Sequence, residues 1–455
     1  MKLFSIQETL IKNLLIITIS FISQFSFSQT NVTIYNLETF INTVRENNLQ
    51  LKISKNKSRV ADLSIKEAMS ALLPQINGQT EIKRNLNDQF IFFEAPDFGN
   101  IDPITGEVPQ IVQRFKTNFN NEFQANILLE QNLFSLKNIY NLKSARQFSN
   151  IGKLQNEDQI IKIIAEAKKA FLQTVLIKNV YKVSEVSELY AKENYLASKN
   201  KYENKLISEL DLLQAKIRWE EELPKLLKAK RNYLMLLGNL KLIAGINPTD
   251  NIVIDYDLAA YELKDAIVNS DDAINNRIDY QLLEANNYLQ ELDIKNKQAE
   301  YYPTLNLRAG YSYFSSSDEW AFKDNQNKII YTAVTFTVPI FSGGFRKSQL
   351  SKAKILSNIT SLEKQEAKLS MTIEIQNLEL KLSEEYKTIQ VATSTRETAK
   401  KAYEIAVETA KIGLISQIDL RKISDDYNRA EINLYNSIYN FKCTQIDFNN
   451  AIANY

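Results

Sequence analysis

The chain has 455 residues, 55 basic against 54 acidic for a net charge of +1, a single cysteine and no histidine. That charge balance leaves no basic footprint for nucleic acid, and one cysteine, Cys443, excludes an intrachain disulfide. Without histidine there are no histidine general bases, Ser-His or Cys-His pairs or histidine metal sites, and no substitute constellation stands in, so the composition argues against an enzyme and implies no cofactor or metal.

The first 28 residues read as a secretory signal: Lys2 and Lys12, an apolar run from Leu14 to Ile22, then Ser26-Phe27-Ser28, with the cut expected after Ser28. After it no run of 18 apolar residues exists, so no transmembrane helix is expected. A short amphipathic segment (Ile34 to Asn48) precedes a helix from about Leu49 to Leu73, which Pro74 ends. Strands are expected over about 75–86 and 115–127, separated by a long polar loop, and then a long helical hairpin over about 136–240. Pro224, inside the return helix of that hairpin, forfeits one backbone hydrogen bond and should kink it.

The stretch 246–262, with Pro248 and acidic turns, is expected to link two halves as an equatorial belt. The second half (263–455) then repeats the order of the first (29–245). A helix (about 273–301) ends at Pro303, strands follow over about 304–314 and 329–338, and a second long hairpin fills about 345–453. After Gly344 there is no proline and one glycine, Gly413, so the first helix of this hairpin runs about 65 residues, a rod of ~100 Å. Both return helices carry heptad seams: Leu212, Ala215, Trp219, Glu222, Leu226 in one, Leu420, Ile423, Tyr427, Ala430, Leu434 in the other. The breaks match too, since Leu206-Ile207-Ser208-Glu209-Leu210-Asp211-Leu212 returns 208 residues later as Leu414-Ile415-Ser416-Gln417-Ile418-Asp419-Leu420. The chain reads as a two-fold structural repeat.

After Pro303, Leu305, Leu307, Ala309, Tyr311 and Tyr313 face one way and Asn306, Arg308, Gly310 and Ser312 the other. Ile330, Thr332, Val334 and Phe336 alternate likewise on the returning strand, and in the first half Ile76, Gly78, Thr80 and Ile82 leave while Phe115, Thr117, Phe119, Phe123, Ala125 and Ile127 return, with Asn121 breaking the apolar row. A half-buried hairpin of a soluble sheet has the same period. Aromatics near the outer ends (Phe90, Phe92, Phe93, Tyr311, Tyr313, Phe314, Trp320) and long polar loops on one side favour strands of an outer-membrane barrel. Four strands cannot close, and an open edge in lipid leaves amides unsatisfied, so copies of the chain must complete the wall. Two copies would give 8 strands, a barrel filled by its own side chains, and three would give 12, wide enough to conduct; the polar inner faces favour the wider one.

The succession of helix, proline, strand, long loop, strand, Pro339-Ile340-Phe341-Ser342-Gly343-Gly344 and long helical hairpin, with the duplicated Leu-Ile-Ser break, resembles the TolC-type outer-membrane efflux proteins. The resemblance covers nearly the whole mature chain. It implies a mainly helical fold with membrane β: a homotrimer whose four strands per protomer build a 12-stranded barrel in outer-membrane lipid, above an α-helical barrel in the periplasm. It further implies a non-enzymatic export channel of a tripartite efflux or type I secretion system, working with a periplasmic adaptor (membrane fusion) protein and an inner-membrane transporter. Pro339, Phe341, Gly343 and Gly344 form the strand-to-helix motif; the first half, Asn132-Leu133-Phe134-Ser135-Leu136-Lys137, lacks the proline and both glycines and must bend differently.

By the same resemblance Asp419, with Asp211 as its first-half equivalent, marks the periplasmic aperture, where three-fold rings of carboxylate would bias which ions pass. The residues themselves also read as capping boxes, Ser416 with Asp419 and Ser208 with Asp211, with Gly413 at the hairpin break; the two readings are compatible. The arginine and tyrosine that close relatives of this type fall on Ile415 and Ala410 here, and a second acidic position is Lys422, so the closing contacts must differ. A reading of another class remains, an exported coiled-coil tether or adhesin without a conduit.

Overall fold

The computed structural model describes residues 33–258, 270–320 and 325–455. The signal segment 1–28, the end of the expected belt and the start of the second half lie outside the described residues. Strand β1 (Thr33–Tyr35) leads into helices α1 (Leu37–Asn47) and α2 (Leu49–Ser70). Strands β2 (Gln75–Arg84), β3 (Phe90–Pro96), β4 (Gln110–Lys116) and β5 (Asn121–Ser135) follow, then α3 (Leu136–Glu203) and α4 (Glu209–Ala244). Strand β6 (Ile252–Ile254), helices α5 (Ser270–Asn276) and α6 (Ile278–Ala299), and strands β7 (Thr304–Ser317) and β8 (Asn327–Thr337) come next, before α7 (Phe345–Lys411) and α8 (Gln417–Ala451). Among the described residues no helix is long and apolar enough to cross a membrane.

The chain divides into two compact units. One gathers residues 54–158 and 275–371 around a four-stranded antiparallel sheet of order β2-β5-β7-β8. Its register aligns rows on each face. Ile76, Leu129, Ala309 and Thr332 form one row, Gly78, Ile127, Tyr311 and Ile330 the next, and Leu305 and Leu307 lie opposite Phe336 and Val334. The other face carries Gln75, Glu130, Arg308 and Ala333, with an Arg308–Glu130 ion pair at 2.8 Å and a Lys83–Glu122 pair at 3.4 Å. One face is thus apolar across all four strands and the other mostly polar. Strand β2, ten residues long, spans about 33 Å, or ~25 Å when tilted as barrel strands are. Both end strands, β2 and β8, are exposed throughout and paired on one side only.

The strand expected over 115–127 is divided. Phe115 belongs to β4, which pairs only with β3 in a separate two-stranded ribbon. The sheet strand begins at Asn121, where Asp318 accepts from the backbone N–H of Asn120 (3.0 Å) and the Asn121 amide donates to the Asp318 carbonyl (3.4 Å). From there β5 runs to Ser135, because its ladder with β7 continues past a bulge at Asn132/Phe134. The expected helix over 273–301 is two helices, α5 and α6, divided at Arg277. Helix α4 continues through Pro224.

The other unit gathers residues up to 53, 159–274 and 372–455. Strand β1 pairs in parallel with β6, bringing the start of the first half to the stretch between halves. Around that ribbon lies the core: Phe40 and Val44 of α1, Phe171 and Val175 of α3, Leu240 of α4, Ile254 and Leu258, Ile389 of α7, and Ile438 and Phe441 of α8. The Phe40 and Phe171 rings stand 5.3 Å apart, and Tyr256 meets Phe171 edge-on at 5.8 Å.

Candidate functional site

The two helix breaks lie in this second unit and share one construction. Helix α3 ends with Lys205 N–H donating to Tyr202 O (2.8 Å) and Leu206 N–H to Lys201 O (2.8 Å); α7 ends with Gly413 N–H to Ala410 O (3.2 Å) and Leu414 N–H to Thr409 O (3.1 Å). Both are Schellman terminations, which need a left-handed residue after the last turn. Gly413 supplies it at φ 78°, and Lys205, at φ 60°, adopts it against the steric preference of an L side chain.

Each return helix starts at a serine N-cap. Ser208 accepts from the Asp211 N–H (3.2 Å), and its own N–H donates to the Asp211 carboxylate (3.3 Å), a closed capping box. Ser416 accepts from the Asp419 N–H (3.1 Å) and its hydroxyl donates to the Asp419 carboxylate (2.7 Å), so this cap is not a closed box. Asp419 is exposed and Asp211 half-buried. The tips are apolar in matched positions: Leu206 with Leu414, and Leu210 with Ile418, are all exposed.

Behind the tips the two hairpins are joined by charges. Arg218 of α4, 7% exposed, pairs with Glu222 one turn on (3.0 Å) and with Asp425 of α8 (2.5 Å). Glu222, 4% exposed, also takes the Ser187 hydroxyl of α3 (3.2 Å) and Lys225 (2.8 Å), while the Asn428 amide of α8 donates to Ser187 (3.1 Å). Arg421 pairs with Glu221 at 2.7 Å, the Asn194 amide donates to Gln417 (2.8 Å), and Lys201 donates to the Lys411 carbonyl (3.3 Å). Beside this clasp lies a cavity of about 360 Å³ lined by Tyr190, Ala197, Ile217, Tyr403, Ala410 and Ile418. Ala410, one of the two latch positions implied by resemblance, is a wall of this cavity and makes no polar clasp.

Aromatic stacks repeat with the same offset as the breaks. Tyr195 stacks on Trp219 at 5.4 Å, and 208 residues later Tyr403 stacks on Tyr427 at 5.4 Å. Burial and the hydrogen bond to Glu431 push Tyr427 up to about 12, and burial also raises Tyr403. The clasp residues Arg218 and Asp425 are not among the residues that the sequence singles out. Glu222 gives the available signal, since a carboxylate in a heptad seam needs a buried partner.

The strand-to-helix motif lies in the unit that holds the sheet. Strand β8 stops at Thr337, and Gly343 and Gly344 turn the chain at φ 60° and 85° into α7. Arg346 folds back to donate to the Pro339 carbonyl (3.1 Å) and lies over the Tyr301 ring at 5.4 Å. Phe341 is exposed. In the first half β5 meets α3 directly, and Ser135 accepts from the Asn138 N–H at 3.2 Å.

A membrane-type sheet feeding helices of 68 and 67 residues, each broken and returned by one capping design, defines an outer-membrane channel protein. The family model described as "Outer membrane efflux protein" matches residues 40–245 and 269–453, and the chain belongs to that family. Among solved structures, the Campylobacter jejuni CmeC outer membrane channel is similar at TM-score 0.73 and 19% identity, over 92% of this chain and 85% of that one. A membrane protein from Pseudomonas aeruginosa is similar at TM-score 0.72 and 15% identity over 91% and 93% of the two chains. The open state of the Neisseria gonorrhoeae MtrE outer membrane channel gives 0.71 and 15% over 91% and 88%. A comparison with curated protein sequences finds no match. Family membership places the chain in the outer membrane as an efflux channel and does not favour the tether or adhesin reading.

Proposed function

We propose that three copies of this chain close one 12-stranded barrel, that their helical hairpins line a periplasmic duct, and that the assembly exports substrates without chemistry of its own, driven by an inner-membrane transporter through a periplasmic adaptor. The observation that carries the reading is the sheet with one apolar face and two unpaired edges: in lipid each unpaired amide costs several kcal/mol, and neighbouring copies satisfy both edges. The chain would reach the membrane by its 1–28 signal, and the 29–245 and 263–455 repeats would contribute two strands and one hairpin each, joined across 246–262.

In this reading the breaks form the periplasmic mouth. Asp419, exposed and held by a hydroxyl alone, is the aperture residue; Asp211, engaged in a closed capping box, serves chiefly to start its helix. Arg218 with Glu222 and Asp425 replaces the latch missing at Ile415 and Ala410, and Pro339, Phe341, Gly343 and Gly344 aim α7 away from the barrel. Reconstitution into planar bilayers tests the whole: discrete conductance steps are expected, with cation preference reduced in Asp419→Ala. Absence of conductance from a correctly assembled oligomer would overturn the duct, and unchanged selectivity would leave Asp419 only its capping role.

A further inference from the structure

The β3–β4 ribbon pairs apart from the four-stranded sheet and is not needed to close a barrel, yet it carries a cluster of exposed apolar side chains. Its register puts Ile91 and Phe115, Phe93 and Gln113, and Ala95 and Ile111 on one face, and Phe90 and Lys116, Phe92 and Arg114, and Glu94 and Val112 on the other. Both faces are bare: Ile91 is 58% and Phe115 53% exposed on one, Phe92 65% and Val112 67% on the other. Such a surface in water is an aggregation hazard, and an isolated two-stranded ribbon is marginal there.

The ribbon is nevertheless rooted in the sheet. Past the last rung of the β2–β5 ladder, Arg84 opposite Asn121, Asn85 N–H donates to Asn120 O (2.8 Å) and Thr117 N–H to Gln89 O (2.8 Å). Lys116 bridges Asp88 (2.8 Å) and Asp318 (3.0 Å). The ribbon therefore continues, after one short step, the strands whose apolar rows meet lipid. Arg114 lies over the Phe90 ring at 4.9 Å, an aromatic-cation pairing suited to the phosphate and ester level of a bilayer. A partner docked on one face would leave the other in water, whereas a lipid surface wets both.

We propose that this ribbon is a membrane-surface anchor: it rests in the headgroup and upper acyl layer of the outer leaflet, with Phe92, Phe93 and Phe115 inserted and Arg114 at the phosphates. The proposal rests on the outer-membrane reading, and a control separates the two. Phe92→Trp is made in the full chain with Trp219→Phe and Trp320→Phe, and the protein is reconstituted into vesicles of phosphatidylethanolamine and phosphatidylglycerol whose acyl chains are brominated near the headgroup. Val334→Trp in the same background reports the lipid-facing row of β8. The expected result is loss of indole emission at position 92 comparable with the loss at position 334. Quenching at 334 with full, red-shifted emission at 92 would place the ribbon in water and overturn the anchor. A blue-shifted but unquenched position 92 would mean cover by protein, including other copies' ribbons, and would overturn it equally. If neither position is quenched, the membrane reading of the sheet fails, and the anchor with it.

Discussion

The two halves of the chain agree at their helix breaks and differ where their strands meet their helices. At the breaks a termination, a serine cap and an aromatic stack recur at one offset of 208 residues, down to matching exposed leucines at positions 206 and 414. At the strand ends the second half turns on two left-handed glycines, and the first passes from Ser135 to Leu136 with neither. The termination and the serine cap are made between residues close together in the chain, so they survive duplication as local chemistry. A strand-to-helix junction is fixed by the neighbouring ladder: β5 has a partner on each side and β8 on one only.

The largest expected effect falls on the Arg218–Glu222 pair, which the second half lacks, having Asp426 and Ala430 at the matching positions. Arg218→Ala leaves Glu222 buried with Lys225 as its remaining cation and should cost about 2–4 kcal/mol in denaturant unfolding. The same variant should raise the open probability of reconstituted channels. Replacing the pair together, Arg218→Met with Glu222→Leu, should recover much of the stability. Next, Gly343→Ala with Gly344→Ala forces two side chains into left-handed backbone and should cost about 2 kcal/mol by the same measurement.

At the breaks the halves should respond with opposite signs. Gly413→Ala is expected to lose about 1 kcal/mol, and Lys205→Gly to gain a few tenths to about 1 kcal/mol by relieving its strain. Equal signs would mean the two terminations are not equivalent. Ser208→Ala and Ser416→Ala should each cost about 1 kcal/mol, the first more because its box is closed from both sides.

The smallest effect is in alkali. Tyr427 is raised above the ordinary tyrosine value, so its folded-state preference for the neutral form is fully present below about pH 10 and is lost as pH rises through about 12. Burial raises Tyr439 to about 12 as well, so ultraviolet titration should find two late-ionising tyrosines, and Tyr427→Trp, which copies Trp219 of the first half, should remove one of them. A normal titration would mean that Tyr427 is neither buried nor bonded to Glu431.

Much of this architecture is legible in the sequence. Alternation marks the apolar rows from Leu305 to Tyr313 and from Ile330 to Phe336, and the duplicated Leu-Ile-Ser stretch marks both breaks. Position 205 is not legible as a left-handed residue, because lysine there contradicts local preference and only the match with Gly413 points to it. The β3–β4 ribbon reads as loop because the alternation from Phe115 to Ile127 is interrupted only at Asn121, which by itself does not end a strand; the division there depends on Asp318, about 200 residues away, holding Asn120 and Asn121. The clasp is hidden for the same reason, since Arg218 and Asp425 meet only through the packing of two hairpins.

Closure of an open sheet by copies of the same chain is the claim from which the duct, the aperture and the clasp's role all follow. Native mass spectrometry of the protein extracted in mild detergent tests it most directly. The account predicts an assembly of three chains that persists on dilution; a monodisperse, folded monomer would contradict it.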